Sequence, residues 1–171
     1  MNSTDFNLYF LQSFPLINFL YLGRGIVTMY RRVILPTDGS RMAKGGVLKG
    51  LKLAKKLDIP AYSIYVLDLD EYDQFEADEV LVEVKNSMKK TAEGALRWVR
   101  KRAQDAGVDI TTEILLGEPY EQIVGEAEKE DVIYMSSHGA SGFKEAIFGS
   151  TTERVLKHAE CTVIVAKGDK M

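Results

Sequence analysis

Five short apolar runs alternate with stretches of helical periodicity along this chain of 171 residues. The runs are rich in Val and Ile, which is typical of buried strands. They cover residues 33–35, 61–67, 108–116, 131–135 and 162–166. Strands that alternate with helices usually pair in parallel, because each helix carries the chain back across the sheet. The alternation therefore predicts an α/β fold, with an open five-stranded parallel sheet and helices on both faces.

Capping residues mark where the intervening helices begin and end. Ser40 is suited to cap the first helix, which follows the first strand. The second helix is predicted over 79–106, with Gly107 as its C-terminal cap. Pro119 fits the first position of a third helix, where its missing N–H costs nothing. The fourth helix is predicted over 150–159.

The first helix contains three glycines and many cations. Gly45, Gly46 and Gly50 lower its intrinsic helix propensity, and close approach to the sheet is the expected compensation. Its Lys and Arg residues fill much of the face away from the apolar stripe, and we interpret them as a solvated helix surface.

Composition bounds the class of protein. Hydrophobic residues make up 46% of the chain and charged residues 27%, the mix of one globular domain of ordinary size. The net charge of -3 argues against a general nucleic-acid binder, so no nucleic-acid partner is expected. The single cysteine, Cys161, cannot form an internal disulfide, which favours a reducing compartment such as the cytoplasm.

Residues 1–29 differ from the rest, being rich in Phe, Tyr and Leu with no Lys or Arg before Arg24. The apolar run of 8–22 is interrupted by polar residues and is shorter than the roughly 20 residues of a spanning helix, so no membrane span is expected. Two interpretations stay open. The segment is an apolar arm that packs on the domain or on a partner, or it belongs to an over-long reading frame whose natural start is Met29. The domain itself is predicted over 30–168.

The stretch after the fourth predicted strand reads MSSHGASGFKEAIFGST, residues 135–151. In open parallel sheets the ligand crevice lies beyond the carboxyl ends of the strands, which is where this loop begins. Gly139 and Gly142 allow the backbone to approach a ligand closely. The helix that follows presents free N–H groups and a dipole that favour an anion, above all phosphate.

A purely structural interpretation of the same loop stays open. Ser150 and Glu153 have the spacing of a capping box, in which the two residues satisfy the helix start between themselves. Spacing alone leaves capping and phosphate binding evenly balanced. His138 fits a turn as well as a catalytic role, and Asp38 could bind a ribose or a metal-bound water, or stabilise the turn after the first strand.

Other nucleotide and catalytic motifs are absent from the sequence. It contains neither the P-loop pattern G-x-x-x-x-G-K-[ST] nor the dinucleotide fingerprint G-x-G-x-x-G. It contains no G-x-S-x-G nucleophile elbow and no Cys/His cluster for structural zinc. These absences exclude the enzyme classes that depend on those motifs.

The order of these pieces resembles the universal stress protein family. Four stretches carry the resemblance: 34–40 (ILPTDGS), 65–68 (YVLD), 117–123 and 136–166. The ATP-binding signature of that family is G-x2-G-x9-G-[ST]. Gly139, nine residues, and then Gly149-Ser150 match its second half, whereas the first signature glycine is replaced by Ser136.

The resemblance implies a sheet with strand order 3-2-1-4-5, similar to that of the adenine nucleotide α-hydrolases. It implies that the backbone at the second strand reads the adenine edge, that the first strand end lines the base and ribose, and that the loop and the last helix hold the phosphates. Direct metal ligands are not implied, but Mg²⁺ can enter with the phosphates of ATP or another adenine nucleotide. The implied nucleotide-binding residues are Pro36, Thr37, Asp38, Val66, Ser136, Ser137, His138, Gly139, Ala140, Ser141, Gly142, Gly149, Ser150, Thr151 and Thr152.

The resemblance also implies a homodimer, in which the last strand, 162–166, pairs across the interface. The expected function is that of an ATP-binding sensor or regulator in the stress response, without dedicated catalytic residues. Two alternatives remain within the family: a nucleotide-free dimerisation module, with Ser136 marking a lost site, and a weak ATP hydrolase with His138 as the one candidate base. An enzyme of the adenine nucleotide α-hydrolase type is a third alternative, outside the family. The S-G-G-x-D-S loop of such enzymes is replaced here by PTDGS at 36–40.

Overall fold

The computed structural model of the chain describes residues 20–21, 26–27, 30–68, 79–137 and 148–166. The four helices are α1 (Arg41–Leu57), α2 (Glu79–Ala106), α3 (Pro119–Gly125) and α4 (Ser150–His158). The strands are β1 (Leu20–Tyr21), β2 (Ile26–Val27), β3 (Val33–Pro36), β4 (Ala61–Leu67), β5 (Ile110–Leu116), β6 (Val132–Ser136) and β7 (Thr162–Ala166).

The five longer strands form one parallel sheet in the order β5-β4-β3-β6-β7. Numbered within that sheet, the order is 3-2-1-4-5, so the predicted fold class is confirmed. β3 lies at the centre, with β4 and β6 on its two sides. The chain therefore leaves the centre first towards one edge and then towards the other, which creates a switch point between β3 and β6.

Three strands differ slightly from their predicted bounds, and the first of them, β3, extends one residue further, to Pro36. β5 begins at Ile110 rather than at 108, because Val108 lies just beyond α2 and takes part in the turn that caps the end of that helix. The N–H of Val108 donates to the carbonyl of Ala103, and Gly107 has a φ of +63°, so Gly107 is the predicted C-terminal cap. β6 covers Val132–Ser136, one residue later than expected.

Helices cover both faces of the sheet and divide the core into two layers. α1 and α2 pack on one face, and α3 and α4 on the other. The buried residues under α1 and α2 are Val33, Leu35, Val47, Leu51, Ala54, Ala61, Val99, Ala103 and Val108. Those under α3 and α4 are Ile34, Tyr62, Ile64, Ile123, Ile133, Met135 and Val155. The alternation of Val33, Ile34 and Leu35 between the layers shows why a continuous apolar run was needed at the central strand.

Two of the three glycines of α1 lie against the sheet, as the sequence predicted. A Cβ atom on Gly50 would lie 2.2 Å from Cδ2 of the buried Leu35, and one on Gly46 would lie 3.0 Å from the backbone nitrogen of Ser136. Gly45 faces no atom within 4 Å, so packing does not explain its presence. The close approach at Gly46 brings α1 against the carboxyl end of β6.

The first segment contributes one small structural feature. β1 and β2 pair antiparallel, Leu20 with Val27 and Tyr21 with Ile26, which the sequence did not predict. Within the part of the chain that the structure describes, every helix is too short or too polar to cross a bilayer.

Candidate functional site

A cavity of about 330 Å³ opens at the carboxyl ends of the strands, at the switch point between β3 and β6. Its volume falls in the range of small-molecule sites. Nine of the residues predicted to bind nucleotide line it: Pro36, Thr37, Asp38, Val66, Ser136, Gly149, Ser150, Thr151 and Thr152. Residues that lie far apart in the sequence are thus brought together at the place where parallel sheets carry ligands.

The turn after β3 forms one wall of the cavity. The hydroxyl of Thr37 accepts a hydrogen bond from the N–H of Gly39 at 3.1 Å, and the carboxylate of Asp38 accepts one from the N–H of Ser40 at 2.9 Å. Gly39 has a φ of +75°, and a Cβ atom there would lie 3.1 Å from Ala95. Asp38 therefore stabilises the turn, as one interpretation held, and its exposed carboxylate also lines the cavity.

The same turn prepares the start of α1. Ser40 is the N-cap, and its hydroxyl accepts a hydrogen bond from the N–H of Ala43 at 3.1 Å, as predicted. Tyr65 of β4 lies next to this turn. Burial, and then the negative charge of Asp38, raise the pKa of the Tyr65 phenol, so this side chain is neutral near neutral pH.

The carboxyl end of β6 forms the floor of the cavity. Ser136 is buried, with 8% of its surface exposed, and its carbonyl accepts a hydrogen bond from the hydroxyl of Thr152 at 3.1 Å. The N–H of Gly149 donates to the carbonyl of Ser137 at 2.8 Å, and the N–H of Ser137 donates to Ala166 at 2.9 Å. These bonds tie the start of α4 and the last strand to the end of β6.

The start of α4 does not have the capping arrangement that the sequence allowed. Gly149, not Ser150, is the N-cap, so the N-cap residue itself forms no side-chain capping hydrogen bond. The carboxylate of Glu153 instead accepts from Lys157 at 2.7 Å, one turn further along the helix. The capping-box interpretation is therefore wrong, because glycine at the N-cap has no side chain to accept the bond. Since the first N–H groups of a helix have no intrahelical acceptor, this end of α4 can receive an anion.

The cavity also has an apolar part of its lining that was not predicted, which we call the apolar wall. It is formed by Ala43, Ile64, Pro119, Ile123 and Met135. The sequence alone does not show that these residues lie together, because they belong to four different elements, α1, β4, α3 and β6, and the strand order is needed to bring those elements next to one another. A planar, weakly polar ring is the kind of group that such a wall accommodates.

A cluster on the outer surface fixes α3 against α4. The guanidinium of Arg154 lies 3.6 Å from the centre of the Tyr120 ring and 2.9 Å from a carboxylate oxygen of Glu118. The rings of Tyr120 and His158 are 5.5 Å apart. These contacts hold the anion-accepting end of α4 beside Pro119.

The remaining predicted residues have different outcomes. Ser137 is buried at the end of β6, next to the cavity but not in its lining. The predictions for His138, Gly139, Ala140, Ser141 and Gly142 lie outside the described residues. Among the residues that the structure describes, no three His, Cys, Asp or Glu side chains are close enough together to hold a metal ion.

Comparison with known proteins gives a consistent family. The sequence model of the universal stress protein family matches residues 29–167. The universal stress protein MJ0531 of Methanocaldococcus jannaschii is 35% identical over 144 residues, which is 83% of this chain and 85% of that protein. The solved structure of the hypothetical protein MJ0577 is 32% identical, with a TM-score of 0.70, and the match covers 84% of this chain and 100% of that one.

Three more distant structures share the fold, with TM-scores from 0.52 to 0.61 and identities from 16% to 21%. They are a universal stress protein in complex with cAMP, one from Archaeoglobus fulgidus in complex with dAMP, and one from Arabidopsis thaliana with AMP bound. The matches cover 81–83% of this chain.

Proposed function

Because the chain belongs to the universal stress protein family, whose sequence model matches residues 29–167, we propose that it binds an adenine nucleotide in the cavity between β3 and β6 and acts as a nucleotide-dependent sensor or regulator. The observation that carries the proposal is the uncapped start of α4, which lines a cavity at the switch point of the sheet. The single cysteine leads us to propose the cytoplasm as its compartment.

The proposed orientation follows from the chemistry of the two walls. The adenine ring lies against the apolar wall that includes Ile64 and Pro119, where the backbone of Val66 reads its edge. The ribose lies near Asp38. The phosphates lie at Ser150 and Thr151, where helix N–H groups and hydroxyls can donate to their oxygens. Nucleotide-bound relatives with this fold support the ligand class.

ATP with Mg²⁺ is the form that we propose, and AMP or another adenylate is the alternative. No three metal-ligating side chains converge among the described residues, so the ion would enter bound to the phosphates. Ser136 adds a hydroxymethyl group at the floor of the cavity, in the position of a signature glycine. We propose that it narrows the site beside the ribose without closing it, because the cavity has a volume of about 330 Å³ with this side chain in place.

The test is calorimetric titration of the full-length protein with ATP in the presence of Mg²⁺, followed by AMP and GTP. We expect saturable binding of adenine nucleotides. The double substitution Ser150→Ala and Thr151→Ala should weaken ATP binding by at least about tenfold, since each hydroxyl bond to a charged group contributes more than a neutral one. Thr91→Ala, on the exposed surface of α2, is the matched control. Absence of binding at millimolar ATP would leave the nucleotide-free module as the remaining function.

Ser136→Gly separates the two alternatives within the family. If Ser136 marks a lost site, the wild-type protein does not bind and the glycine variant does. If the site is active, the wild-type protein binds and the glycine variant changes affinity by less than about tenfold, since only one hydroxymethyl group is removed. Hydrolysis is measured on the same samples as release of ADP and phosphate, and release of AMP and pyrophosphate would indicate the α-hydrolase reaction instead.

We also propose a homodimer through β7. Among the described strands, β7 pairs only with β6, so its other edge is unpaired, and Val163, Ile164 and Val165 are half-buried. An unpaired apolar edge invites pairing with a second copy. Sedimentation velocity should give twice the chain mass of 19.2 kDa, and Ile164→Lys should give the monomer. A monomeric wild-type protein at micromolar concentration would contradict the dimer but not the nucleotide site.

A further inference from the structure

Positive charge is concentrated in two helices of a chain that is acidic overall. α1 contains six Lys and Arg residues and no Asp or Glu. α2 contains seven Lys and Arg residues and four Asp and Glu residues. The two helices thus hold thirteen of the 22 Lys and Arg residues but only four of the 25 Asp and Glu residues. The rest of the chain carries a large acidic excess, so a net charge of -3 conceals a strongly basic surface.

The fold places both helices side by side on one face of the sheet. The ring of Trp98 in α2 joins them: the ammonium of Lys44 and the guanidinium of Arg102 each lie 5.4 Å from its centre. The side chain of Lys55 donates to the carbonyl of Gly107 at the end of α2. The cations of α1 and α2 therefore form one continuous surface, which we call the basic face.

The two helices themselves supply few carboxylates to this charge, since α1 has none and α2 has four. Asp105 pairs with Lys101 at 2.8 Å and lies 3.5 Å from Arg102, at one end of α2. On α1, Lys52 and Lys56 are exposed one turn apart, where like charges destabilise a helix. Leu48 is 41% exposed and lies one turn from both Lys44 and Lys52. An exposed leucine flanked by cations, on two helices with thirteen Lys and Arg residues and four acidic ones, needs an explanation other than folding stability.

We propose that the basic face docks on an anionic phospholipid membrane surface. Basic residues near such a surface each strengthen binding by about fivefold. The acidic remainder of the chain is repelled by the same surface, so the molecule is oriented with α1 and α2 towards it. Leu48 supplies an apolar contact at the boundary between headgroups and acyl chains.

The shape of the basic face favours a membrane over a nucleic acid. Two helices packed side by side are about 20 Å wide, which is too wide for the roughly 12 Å major groove of duplex DNA. Single-stranded nucleic acids need open aromatic rings on which bases stack, whereas the ring of Trp98 is already in contact with Lys44 and Arg102. A basic surface two helices wide matches a bilayer better than it matches either nucleic acid.

The experiment measures co-sedimentation of the full-length protein with vesicles of phosphatidylcholine alone and with vesicles that also contain phosphatidylserine. We expect binding only to the anionic vesicles, and loss of binding as salt is raised. The double substitution Lys52→Gln and Lys56→Gln should weaken binding by about thirtyfold, at about fivefold for each lysine. The matched control is Lys129→Gln with Lys157→Gln, which removes the same charge from the α3–α4 side and should leave binding unchanged.

Three results would overturn the proposal: no binding to anionic vesicles at low salt, equal loss of binding in the two double variants, or tighter binding to a duplex DNA oligonucleotide than to the vesicles. The last is measured by fluorescence anisotropy at the same salt concentration. Circular dichroism melts of the two double variants check that neither substitution affects folding. Because all the substituted lysines lie outside the cavity, the outcome is independent of nucleotide binding.

Discussion

The two ends of the central sheet differ in how they use polar groups. At the amino end, the carboxylate of Asp131 is fully buried and accepts hydrogen bonds from Arg31 at 2.8 and 2.9 Å, from Arg32 at 3.2 Å and from the N–H of Glu128 at 3.0 Å. At the carboxyl end, small hydroxyl residues and an uncapped helix surround a cavity. The polar groups at the amino end are satisfied within the protein, whereas the carboxyl end has an open cavity, in which we propose that a nucleotide binds.

The amino end is fixed by a network that continues beyond Asp131. Arg32 donates to the carbonyl of Glu126 at 2.8 Å, and its guanidinium lies 4.5 Å from the centre of the Tyr62 ring. The hydroxyl of Tyr62 donates to Glu113 at 2.6 Å. Burial and the neighbouring carboxylate of Glu113 raise the pKa of Tyr62, so its proton stays in place. The network that stabilises the fold and the proposed binding site therefore lie at opposite ends of the same strands.

Asp131→Ala should produce the largest loss of stability, because two guanidinium groups would lose their buried partner. Breaking such a pair costs about 3 kcal/mol when the cations retain some access to water. Chemical denaturation measures the loss, and nucleotide affinity should be unchanged because the site lies at the other end of β6. Asp105→Ala, which removes an exposed carboxylate paired with Lys101, is the control and should leave the midpoint unchanged. A large effect on affinity would contradict the separation of the two ends.

Acid should destabilise the protein through the same carboxylate. Burial tends to raise the pKa of Asp131, but the hydrogen bonds from Arg31, Glu128 and Arg32 outweigh it and lower the pKa below its usual value. Because the pKa of Asp131 is lower in the folded state, its contribution to stability is complete above the pKa of the unfolded state, about 4. The contribution disappears as the pH falls towards the pKa of the folded state. The free energy of unfolding, measured by denaturation from pH 7 to pH 2, should therefore decline more steeply for the wild type than for Asp131→Asn. If the free energies of unfolding of the two proteins fall in parallel with pH, carboxylates other than Asp131 account for the acid sensitivity.

Gly46→Ala should damage the carboxyl end in particular. A Cβ atom there would lie 3.0 Å from the backbone nitrogen of Ser136 and 3.4 Å from the carbonyl carbon of Met135, and backbone atoms cannot rotate away. We expect a loss of about 2 kcal/mol in stability and about tenfold in nucleotide affinity, since the floor of the cavity must move. Gly45→Ala is the matched control: it meets no atom within 4 Å and should raise stability by about 0.5–1 kcal/mol. Similar results for both variants would mean that α1 moves away from β6 to accommodate the added methyl group without a measurable loss of stability.

Thr152→Val tests the bond between α4 and β6. The substitution keeps the shape of a side chain that is 3% exposed but removes its hydrogen bond to the carbonyl of Ser136. Losing this buried hydrogen bond costs about 1–2 kcal/mol, and we expect nucleotide affinity to fall as the helix start loses its position. Thr152→Ser should restore both quantities. Loss in the valine variant without recovery in the serine variant would indicate packing rather than the hydrogen bond.

Physical reasons explain which features could be predicted from the sequence. The fold class and the centre of each element followed from local periodicity, and the bounds of β4, α2 and β7 agree with the structure. The strand order needed the resemblance, because alternation alone does not specify which strands are neighbours. The sequence analysis missed Ile64 and Met135 in the cavity wall, because the sequence does not distinguish an apolar strand residue that lines a cavity from one that packs in the core. The capping box at Ser150 failed because spacing does not reveal which residue has the extended backbone of an N-cap.

The smallest expected effect concerns the charge of Glu153, one turn into α4. Its carboxylate lies in the first turn, where it repels a bound phosphate, although its ion pair with Lys157 offsets part of the repulsion. Hydrogen bonding to Lys157 lowers the pKa of Glu153, so the charge is present at neutral pH. Glu153→Gln should therefore tighten ATP binding by about twofold to threefold at low salt, because exposed charges interact weakly through water.

The control variant Glu160→Gln distinguishes the local effect of Glu153 from the effect of the net charge of the protein. Glu160 is exposed just beyond the end of α4, and Glu160→Gln changes the net charge by the same amount far from the helix start. Calorimetry at low and high salt should show tighter ATP binding for Glu153→Gln alone, and the difference should vanish as salt screens it. If Glu160→Gln tightens binding equally, the phosphates respond to the charge of the whole protein and not to the first turn of α4. If Glu153→Gln weakens ATP binding, the ion pair between Glu153 and Lys157 positions the start of α4. Phosphate binding at that end of the helix then depends on this ion pair more than on the repulsion by Glu153.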